Sequence, residues 1–217
     1  MTRRLVLPDA PGGPDATGLP HAPSAARNLD AILAVLLPAL PRAGTVLELA
    51  SGTGQHVAAL AAHRPDLRFV PSDADPSRRA AVDARCRSLP NVERAQDIDV
   101  GERGWAGDTV AGAVVIVNLL HLISDAEMAI LLDEAAQVLD GGGLLAIYGP
   151  FLRGGRATSD GDRAFDASLR AQDAAIGYKE VEVLCSILGV LGFEVERVEM
   201  PANNLMLLAR RPAGAAL

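Results

Sequence analysis

The clearest chemical pattern in this chain is an apolar run that contains an acid and is followed by a turn of small residues. The run reads Val46-Leu47-Glu48-Leu49-Ala50-Ser51-Gly52-Thr53-Gly54. A strand, a glycine turn and a helix in this order bring backbone N–H groups close to a nucleotide-like ligand, because glycine permits the tight turn and has no Cβ. Val57 stands where a dinucleotide-binding loop has its third glycine, so that fingerprint is incomplete. Glu48 would repel a pyrophosphate but suits a ligand with an ammonium and a sulfonium, as in S-adenosylmethionine.

Alternating strands and helices must position this turn. Apolar runs predict strands over 45–49, 67–71, 91–99, 111–117, 144–148, 194–198 and 204–210. The run from 111 to 117 has no polar interruption, which is typical of a central parallel strand. Only residues 199–203 join the last two strands, which must be antiparallel because a parallel crossover needs about a dozen residues. We therefore predict an α/β fold with a Rossmann-like, doubly wound seven-stranded sheet, mostly parallel with an antiparallel last strand.

The domain organisation follows from where this alternation of strands and helices is interrupted. Residues 1–22 are rich in Pro, Gly and Asp without periodicity, which predicts a flexible N-terminal arm. Residues 23–217 have the length of a single domain. Within it, residues 152–177 interrupt the pattern with Gly, Asp, Arg and Ser, and we expect a lid-like insertion there.

Composition and charge exclude several classes of partner. A net charge of −7 argues against a nucleic-acid backbone, whose binding depends on clustered Lys and Arg. The longest apolar run is roughly half of the ~20 residues that span a bilayer, and the N-terminus lacks the apolar stretch of a secretion signal. No His, Cys, Asp or Glu cluster has metal-ligand spacing. We expect a cytoplasmic protein that acts on a small molecule without a metal; the sequence does not indicate its oligomeric state.

Five segments, in this order, resemble one family. They are Ser24-Ala25-Ala26-Arg27-Asn28, the stretch 47–56, Tyr148-Gly149-Pro150-Phe151, the stretch 165–170 and Met200-Pro201-Ala202-Asn203-Asn204. The chain resembles a class I S-adenosylmethionine-dependent methyltransferase and, more narrowly, the domain-of-unknown-function 938 family, the proteins similar to methyltransferase-like protein 26. The resemblance covers nearly the whole chain beyond residue 22. Ala50 stands where the wider methyltransferase group has its first glycine.

The resemblance implies S-adenosylmethionine as the cofactor, held largely by the turn. Glu48 would place the methionine ammonium, directly or through water, and the backbone from residue 50 to 54 would border the methionine and adenosine parts. The residues implied around this turn are Glu48, Ala50, Ser51, Gly52, Gly54 and His56.

Acids after the next two strands are placed for the adenosine. Asp73, with Ala74 beside it, would accept the ribose hydroxyls. Asp75 competes with it, although Asp75-Pro76 is more typical of a helix N-cap and first residue. For the adenine amino group the resemblance favours Asp99, with Val100 against the purine. Alternation puts Asp97 on the same side, so spacing does not separate Asp97 from Asp99.

The crevice beyond the fourth predicted strand contains Asn118 and His121. Asn118 is assigned to the cofactor, and His121 is the leading candidate for a base, because histidine titrates near neutral pH. A structural histidine inside Leu-Leu-His-Leu-Ile is the competing interpretation. Tyr148, at the tip of the fifth predicted strand, is a second candidate for proton transfer.

Polar residues on the first helix, in the insertion and just before the last strand complete the predicted site. Arg27 and Asn28 are assigned to the cofactor, and Asp166 to catalysis. The residues assigned to the substrate are Arg170, Asn203 and Asn204. A solvated helix face is the alternative for Arg27, Asn28, Asp166 and Arg170.

The predicted function is S-adenosylmethionine-dependent methyl transfer to a small-molecule acceptor by in-line displacement. Its main rival is a non-catalytic S-adenosylmethionine-binding sensor or partner protein, and a less favoured one is a nicotinamide-dependent oxidoreductase. A catalyst should enclose a second half-site beside the methyl group, whereas a sensor need not.

Overall fold

The computed structural model describes residues 5–7, 12–16 and 18–212. Its first elements are an antiparallel hairpin, formed by β1 (Gly12–Pro14) and β2 (Pro20–His21), and the long helix α1 (Pro23–Ala39). Residues 1–4, 8–11 and 17 of the predicted arm lie outside the described residues.

Seven strands form the main sheet, and its predicted class is confirmed. They are β3 (Thr45–Leu49), β4 (Arg68–Pro71), β5 (Ala111–Val117), β6 (Leu139–Leu152), β7 (Lys179–Glu180), β8 (Glu194–Glu199) and β9 (Asn204–Arg210). Their order is β4-β3-β5-β6-β9-β8, with β7 beside the end of β6. Strands β3 to β6 pair in parallel, and β9 runs antiparallel to both of its neighbours.

The predicted third strand over 91–99 is wrong as a regular strand. Only two isolated parallel bridges form there, Phe69 with Val92 and Ser72 with Gln96. The residues from 94 to 97 are mostly polar and exposed or half-buried, so they bury too little apolar surface to hold a continuous ladder. The seventh strand is instead β7, which pairs in parallel with the end of β6.

Five further helices connect these strands. They are α2 (Gln55–His63), α3 (Pro76–Cys86), α4 (Asp125–Val138), α5 (Asp160–Gln172) and α6 (Val181–Val190). The insertion is more regular than predicted because α5 occupies half of it. Ser159 caps this helix by accepting a hydrogen bond from the backbone N–H of Asp162. Leu169 is the fully buried residue on the inner face of the helix.

The core lies on both faces of the sheet. One apolar cluster packs α4 and α6 against the strands, and the other packs α1, α2 and α3 against the opposite face. Strand β5 contributes buried residues to both, as its uninterrupted apolar run predicts. Among the described residues, no helix is long and apolar enough to cross a membrane.

Candidate functional site

A cavity of about 830 Å³ opens beyond the carboxyl ends of β3 and β5 and along the last part of β6. The turn after β3 forms one wall, with Ala50, Ser51, Gly52 and Thr53. The other walls come from α1, the segment after β5, α5 and the loop before β9. The volume is within the roughly 300–1,000 Å³ of small-molecule sites, and the position is where open α/β sheets bind ligands.

The turn after β3 depends on left-handed backbone. Ala50, Gly52 and Gly54 have φ angles of 53°, 58° and 75°. The Ser51 backbone N–H donates to the carbonyl of Ser72 at 2.7 Å, which ties the turn to the end of β4. The predicted cofactor turn is thus a compact backbone loop on the cavity wall.

We expect Gly54→Ala to destabilise the protein more than Gly52→Ala does. Both substitutions put a Cβ on left-handed backbone, at a cost of about 1–2 kcal/mol. At Gly54 the new Cβ would also lie 3.0 Å from Val82 Cα, whereas nothing lies within 4 Å at Gly52. Overpacking adds about 1–3 kcal/mol, so denaturant unfolding should separate the variants. Equal losses of unfolding free energy would contradict the close approach of α2 and α3.

Glu48 is a buried carboxyl group at the end of β3. Its side chain is 3% exposed, and its Oε2 atom has no hydrogen-bond partner among the described residues. Burial raises the pKa of Glu48 to about 8, opposed by a hydrogen bond from Ser51 and reinforced by the charge of Asp73. Glu48 lies behind the cavity lining rather than on it. A buried acid with one unpartnered oxygen beside a ligand-sized cavity fits a cationic ligand whose charge compensates the carboxylate.

Asp73 organises the turn after β3 from the neighbouring strand end. Its Oδ2 atom accepts the Gly52 N–H and its Oδ1 atom accepts the Asp75 N–H, both at 3.0 Å. Burial raises the pKa of Asp73, while these hydrogen bonds and the charge of Arg78 oppose the rise. Asp75 is the N-cap of α3 and accepts the Ser77 N–H, as predicted. The structure therefore separates the competing acids: Asp75 caps a helix and Asp73 supports the turn.

The residues assigned to adenine lie outside the cavity lining. Asp99 accepts the Gly101 N–H at 3.1 Å, and Val100 is buried. Ala74 contributes its carbonyl to Arg79. Asp97 has a 71% exposed side chain and pairs with Arg79 at 2.9 Å, so the two acids do not share one environment. Their roles in binding adenine stay predictions.

A polar cluster joins α1 to the sheet at the cavity wall. Asn28 Oδ1 accepts from His56 Nε2 at 2.8 Å. Burial lowers the pKa of His56 to about 4, so this imidazole is neutral at pH 7. Burial raises the pKa of Tyr148, and a hydrogen bond from Asn28 partly opposes the rise. Arg27 has an exposed side chain that also lines the cavity.

Asn118 and His121 lie on the cavity wall after β5. Asn118 has a φ of 55°, and its N–H donates to the Tyr148 carbonyl at 2.9 Å. His121 is 6% exposed. Burial lowers the pKa of His121 to about 4, aided by the charge of Lys179 and opposed by that of Asp166. His121 is therefore a neutral group at physiological pH, able to hydrogen-bond but a weak base.

The insertion and the residue directly after it contribute residues to the cavity wall other than those assigned by sequence. Asp162, Phe165 and Tyr178 line the cavity. Asp166 and Arg170 lie outside its lining and bind each other at 3.0 Å. Sequence reasoning missed all three lining residues. The scarcity of aromatic residues was the available signal, because Tyr178 is one of only two tyrosines in the chain.

The segment before β9 closes another side of the cavity. Asn204 lines it, and its side-chain amide donates to the carbonyls of Pro201 and Ala202. Asn203 donates to Asp162 Oδ2 at 3.0 Å, which links this segment to α5. Asn204 thus lines the cavity, whereas Asn203 stabilises the cavity wall through its hydrogen bond to Asp162.

The described part of the arm contacts the site at two points. Leu7 lines the cavity, and the neighbouring Val6 exchanges backbone hydrogen bonds with the Gln172 side chain of α5. Ala22 donates to Gln55 at 2.7 Å beside the turn. Closure of arm and insertion over a ligand stays a prediction. No group of His, Cys, Asp and Glu within 5–7, 12–16 and 18–212 has an arrangement that could hold a metal ion.

Comparison with known proteins gives one family and one fold. The model of a family described as "Protein of unknown function (DUF938)" matches residues 19–211. An O-methyltransferase family protein from Burkholderia thailandensis superposes with a TM-score of 0.78 at 19% identity, covering 88% of this chain and 57% of that chain. The S-adenosylmethionine-dependent methyltransferase SibL, in its apo form, gives 0.69 at 21% identity, with coverages of 87% and 56%.

Human N-acetylserotonin methyltransferase, solved in complex with S-adenosylmethionine, is a further similar structure. It superposes with a TM-score of 0.66 at 15% identity, covering 78% of this chain and 48% of that chain. This chain spans about half the length of these three proteins. At such low identity the likeness shows the fold, which is that of class I S-adenosylmethionine-dependent methyltransferases.

Proposed function

We propose that this chain, which belongs to the DUF938 family of proteins of unknown function, transfers a methyl group from S-adenosylmethionine to a small-molecule acceptor. One observation carries the proposal: a single cavity joins two differently built halves. A backbone turn beside the buried carboxyl of Glu48 forms the first half. The neutral imidazole of His121 and the rings and polar groups around it form the second.

The first half suits S-adenosylmethionine. The left-handed turn from Ala50 to Thr53 presents backbone to the cavity without large side chains. Glu48 supplies the negative charge that an ammonium and a sulfonium require, and its Oε2 atom has no other partner among the described residues. We assign the ribose hydroxyls to Asp73, which accepts the Gly52 N–H beside the turn, and Arg78 lines the cavity nearby.

In the proposed reaction, residues of the second half of the cavity act on the acceptor. When bound, S-adenosylmethionine supplies a methyl group on positively charged sulfur, which an acceptor lone pair attacks while the carbon–sulfur bond breaks and its electrons stay on sulfur. Asn118 and Tyr148 orient the acceptor, which raises its effective concentration at the methyl group. The acceptor's proton passes to solvent, and the neutral His121 serves as a hydrogen-bond partner because its lowered pKa makes it a weak base. A wall of this kind beside the cofactor turn favours a transferase over a sensor.

Calorimetry with the full chain tests the cofactor part of this proposal. We expect S-adenosylmethionine and S-adenosylhomocysteine to bind and NAD not to bind, because Glu48 favours cations and the dinucleotide fingerprint lacks its third glycine. Binding of NAD alone would overturn the assignment.

Mass spectrometry tests methyl transfer itself. The protein is incubated with S-adenosylmethionine and a small-molecule cell extract, and the matched control contains S-adenosylhomocysteine instead. We expect products heavier by one methylene unit only in the first reaction. Tight cofactor binding with no such product from extracts of several organisms would favour the sensor.

A further inference from the structure

Aromatic side chains are concentrated in the second half of the cavity. The chain has one Trp, two Tyr and four Phe, which is 3% of its residues. Three of these seven, Tyr148, Phe165 and Tyr178, line the cavity together with His121. Nearly half of the chain's few aromatic residues therefore surround one cavity, and this composition of the wall needs an explanation.

Three of these rings form one cluster. The centroids of His121 and Phe165 are 5.8 Å apart, those of His121 and Tyr178 are 6.0 Å apart, and those of Phe165 and Tyr178 are 6.1 Å apart. All three pairs are edge-to-face, the arrangement that aromatic rings prefer over a face-to-face sandwich. A further ring entering the cavity would meet edges and faces at the same favourable separations.

A network of hydrogen bonds holds this cluster in place. The Gly177 N–H donates to the His121 carbonyl at 3.1 Å, and the Tyr178 N–H donates to Asp166 Oδ1 at 2.7 Å. Arg170 donates to the Tyr178 carbonyl at 3.2 Å and also binds Asp166. Asp166 and Arg170 are therefore positioning residues for Tyr178.

A carboxylate completes the wall beside the rings. Asp162 Oδ2 accepts from the Ser159 hydroxyl at 2.7 Å and from Asn203 at 3.0 Å. From the described residues, its Oδ1 atom accepts one long hydrogen bond of 3.3 Å, from the Tyr178 hydroxyl. An ionised carboxylate only accepts hydrogen bonds, and each oxygen has room for two. Oδ1 can therefore receive a donor from a ligand in the cavity.

Resting on the proposed function, we propose that the acceptor is a small planar aromatic molecule. Its ring packs against His121, Phe165 and Tyr178, and a hydroxyl or N–H on it donates to Asp162. Ring packing fixes the plane of the acceptor and the carboxylate fixes its rotation, which are the two requirements for aligning a nucleophile with a methyl group.

Three small molecules distinguish the contribution of the ligand's aromatic ring from that of its hydrogen-bond donor. Phenol has both, anisole lacks the donor and cyclohexanol lacks the aromatic ring. Each is titrated by NMR into the protein saturated with S-adenosylhomocysteine. We expect phenol to bind with a dissociation constant about tenfold lower than that of anisole and lower than that of cyclohexanol. Equal binding of all three would overturn the proposal.

Matched variants assign the effect to this wall. Phe165→Leu removes a half-buried ring, and Phe193→Leu makes the same change outside the cavity lining. We expect Phe165→Leu to weaken phenol about three- to tenfold, Asp162→Asn to weaken it about tenfold, and Phe193→Leu to leave it unchanged. Unchanged affinity for S-adenosylhomocysteine shows that each variant is folded. Phenol binding that is insensitive to both Phe165→Leu and Asp162→Asn would contradict the proposed subsite.

The same measurements distinguish this inference from the proposed function. If S-adenosylhomocysteine does not bind the wild-type chain, the proposed function fails. Phenol titration of the protein alone, with and without Phe165→Leu, then decides whether the aromatic subsite exists, with variant folding checked by circular dichroism.

Discussion

Glu48→Gln is expected to weaken S-adenosylmethionine binding about 10- to 100-fold at pH 8 while making the ligand-free protein more stable. Both effects have one cause, since the buried carboxyl is unfavourable in its charged form until a cation compensates it. Glutamine keeps the shape and removes the charge. A residue with a merely structural role would instead lower stability when replaced.

The sign of the stability effect follows from proton linkage. The pKa of Glu48 is about 8 in the folded protein, against 4.5 as the ordinary value. Between these values the folded state binds more protons than the unfolded state, so its free energy of unfolding falls as pH rises. The ligand-free Glu48→Gln variant has no carboxyl group here, so its free energy of unfolding does not fall for this reason as pH rises. Its melting temperature should therefore exceed that of the wild type at pH 8, and the difference should shrink towards pH 5.

Ligand binding should release a proton from Glu48. At pH 7 a group with a pKa of about 8 is mostly protonated, and a bound cation favours the charged form. The ligand's own α-amino group, with a pKa near 7.7–8.0, takes up only a small fraction of a proton. We therefore expect a net release of more than about half a proton per S-adenosylmethionine bound.

Calorimetry in two buffers of different ionisation enthalpy measures this release. Glu48→Gln should abolish it, and the ratio of wild-type to variant affinity should rise between pH 6 and pH 8. Glu134→Gln is the matched control, because Glu134 is also a buried glutamate but hydrogen-bonds the Ala106 N–H outside the cavity lining. Proton release that persists in Glu48→Gln would show that another group compensates the ligand.

Local patterns accounted for most of the fold. The glycine turn, the Asp75 N-cap and the short connection before β9 each depend on neighbours within a few residues, and each is found as predicted. The predicted strand over 91–99 failed because apolar spacing does not report exposure. Its polar residues face solvent instead of filling a ladder between sheet neighbours.

The second half of the cavity was harder to predict because long-range contacts build it. Phe165 and Tyr178 meet His121, and Asp162 meets Tyr178, only after α5 has folded against the segment that follows β5. Asp166 and Arg170 belong to the same helix, yet their hydrogen bonds run to the backbone at Tyr178. Which face of an amphipathic helix meets a cavity is decided by packing, so residue type alone did not separate lining residues from positioning residues.

Asp73→Ala is expected to weaken S-adenosylmethionine and S-adenosylhomocysteine equally, by about 10- to 100-fold. The two ligands share the ribose, and losing hydrogen bonds to a charged group costs about 1.5–3 kcal/mol. The variant also loses the contact that holds Gly52, so the turn itself becomes less well ordered. Removing a carboxylate whose pKa is raised by burial offsets part of this cost, so the melting temperature should fall much less than affinity does.

Asp133→Ala is the matched control for this effect. Asp133 lies on α4 outside the cavity lining, and its side chain is 45% exposed and paired with Arg103 at 2.9 Å. Exposed ion pairs contribute little, so we expect ligand affinity and unfolding free energy to change only slightly. Calorimetry with both ligands measures the affinities. If Asp73→Ala bound both ligands as the wild type does, the ribose would have to lie elsewhere, and Asp73 would serve only to support the turn.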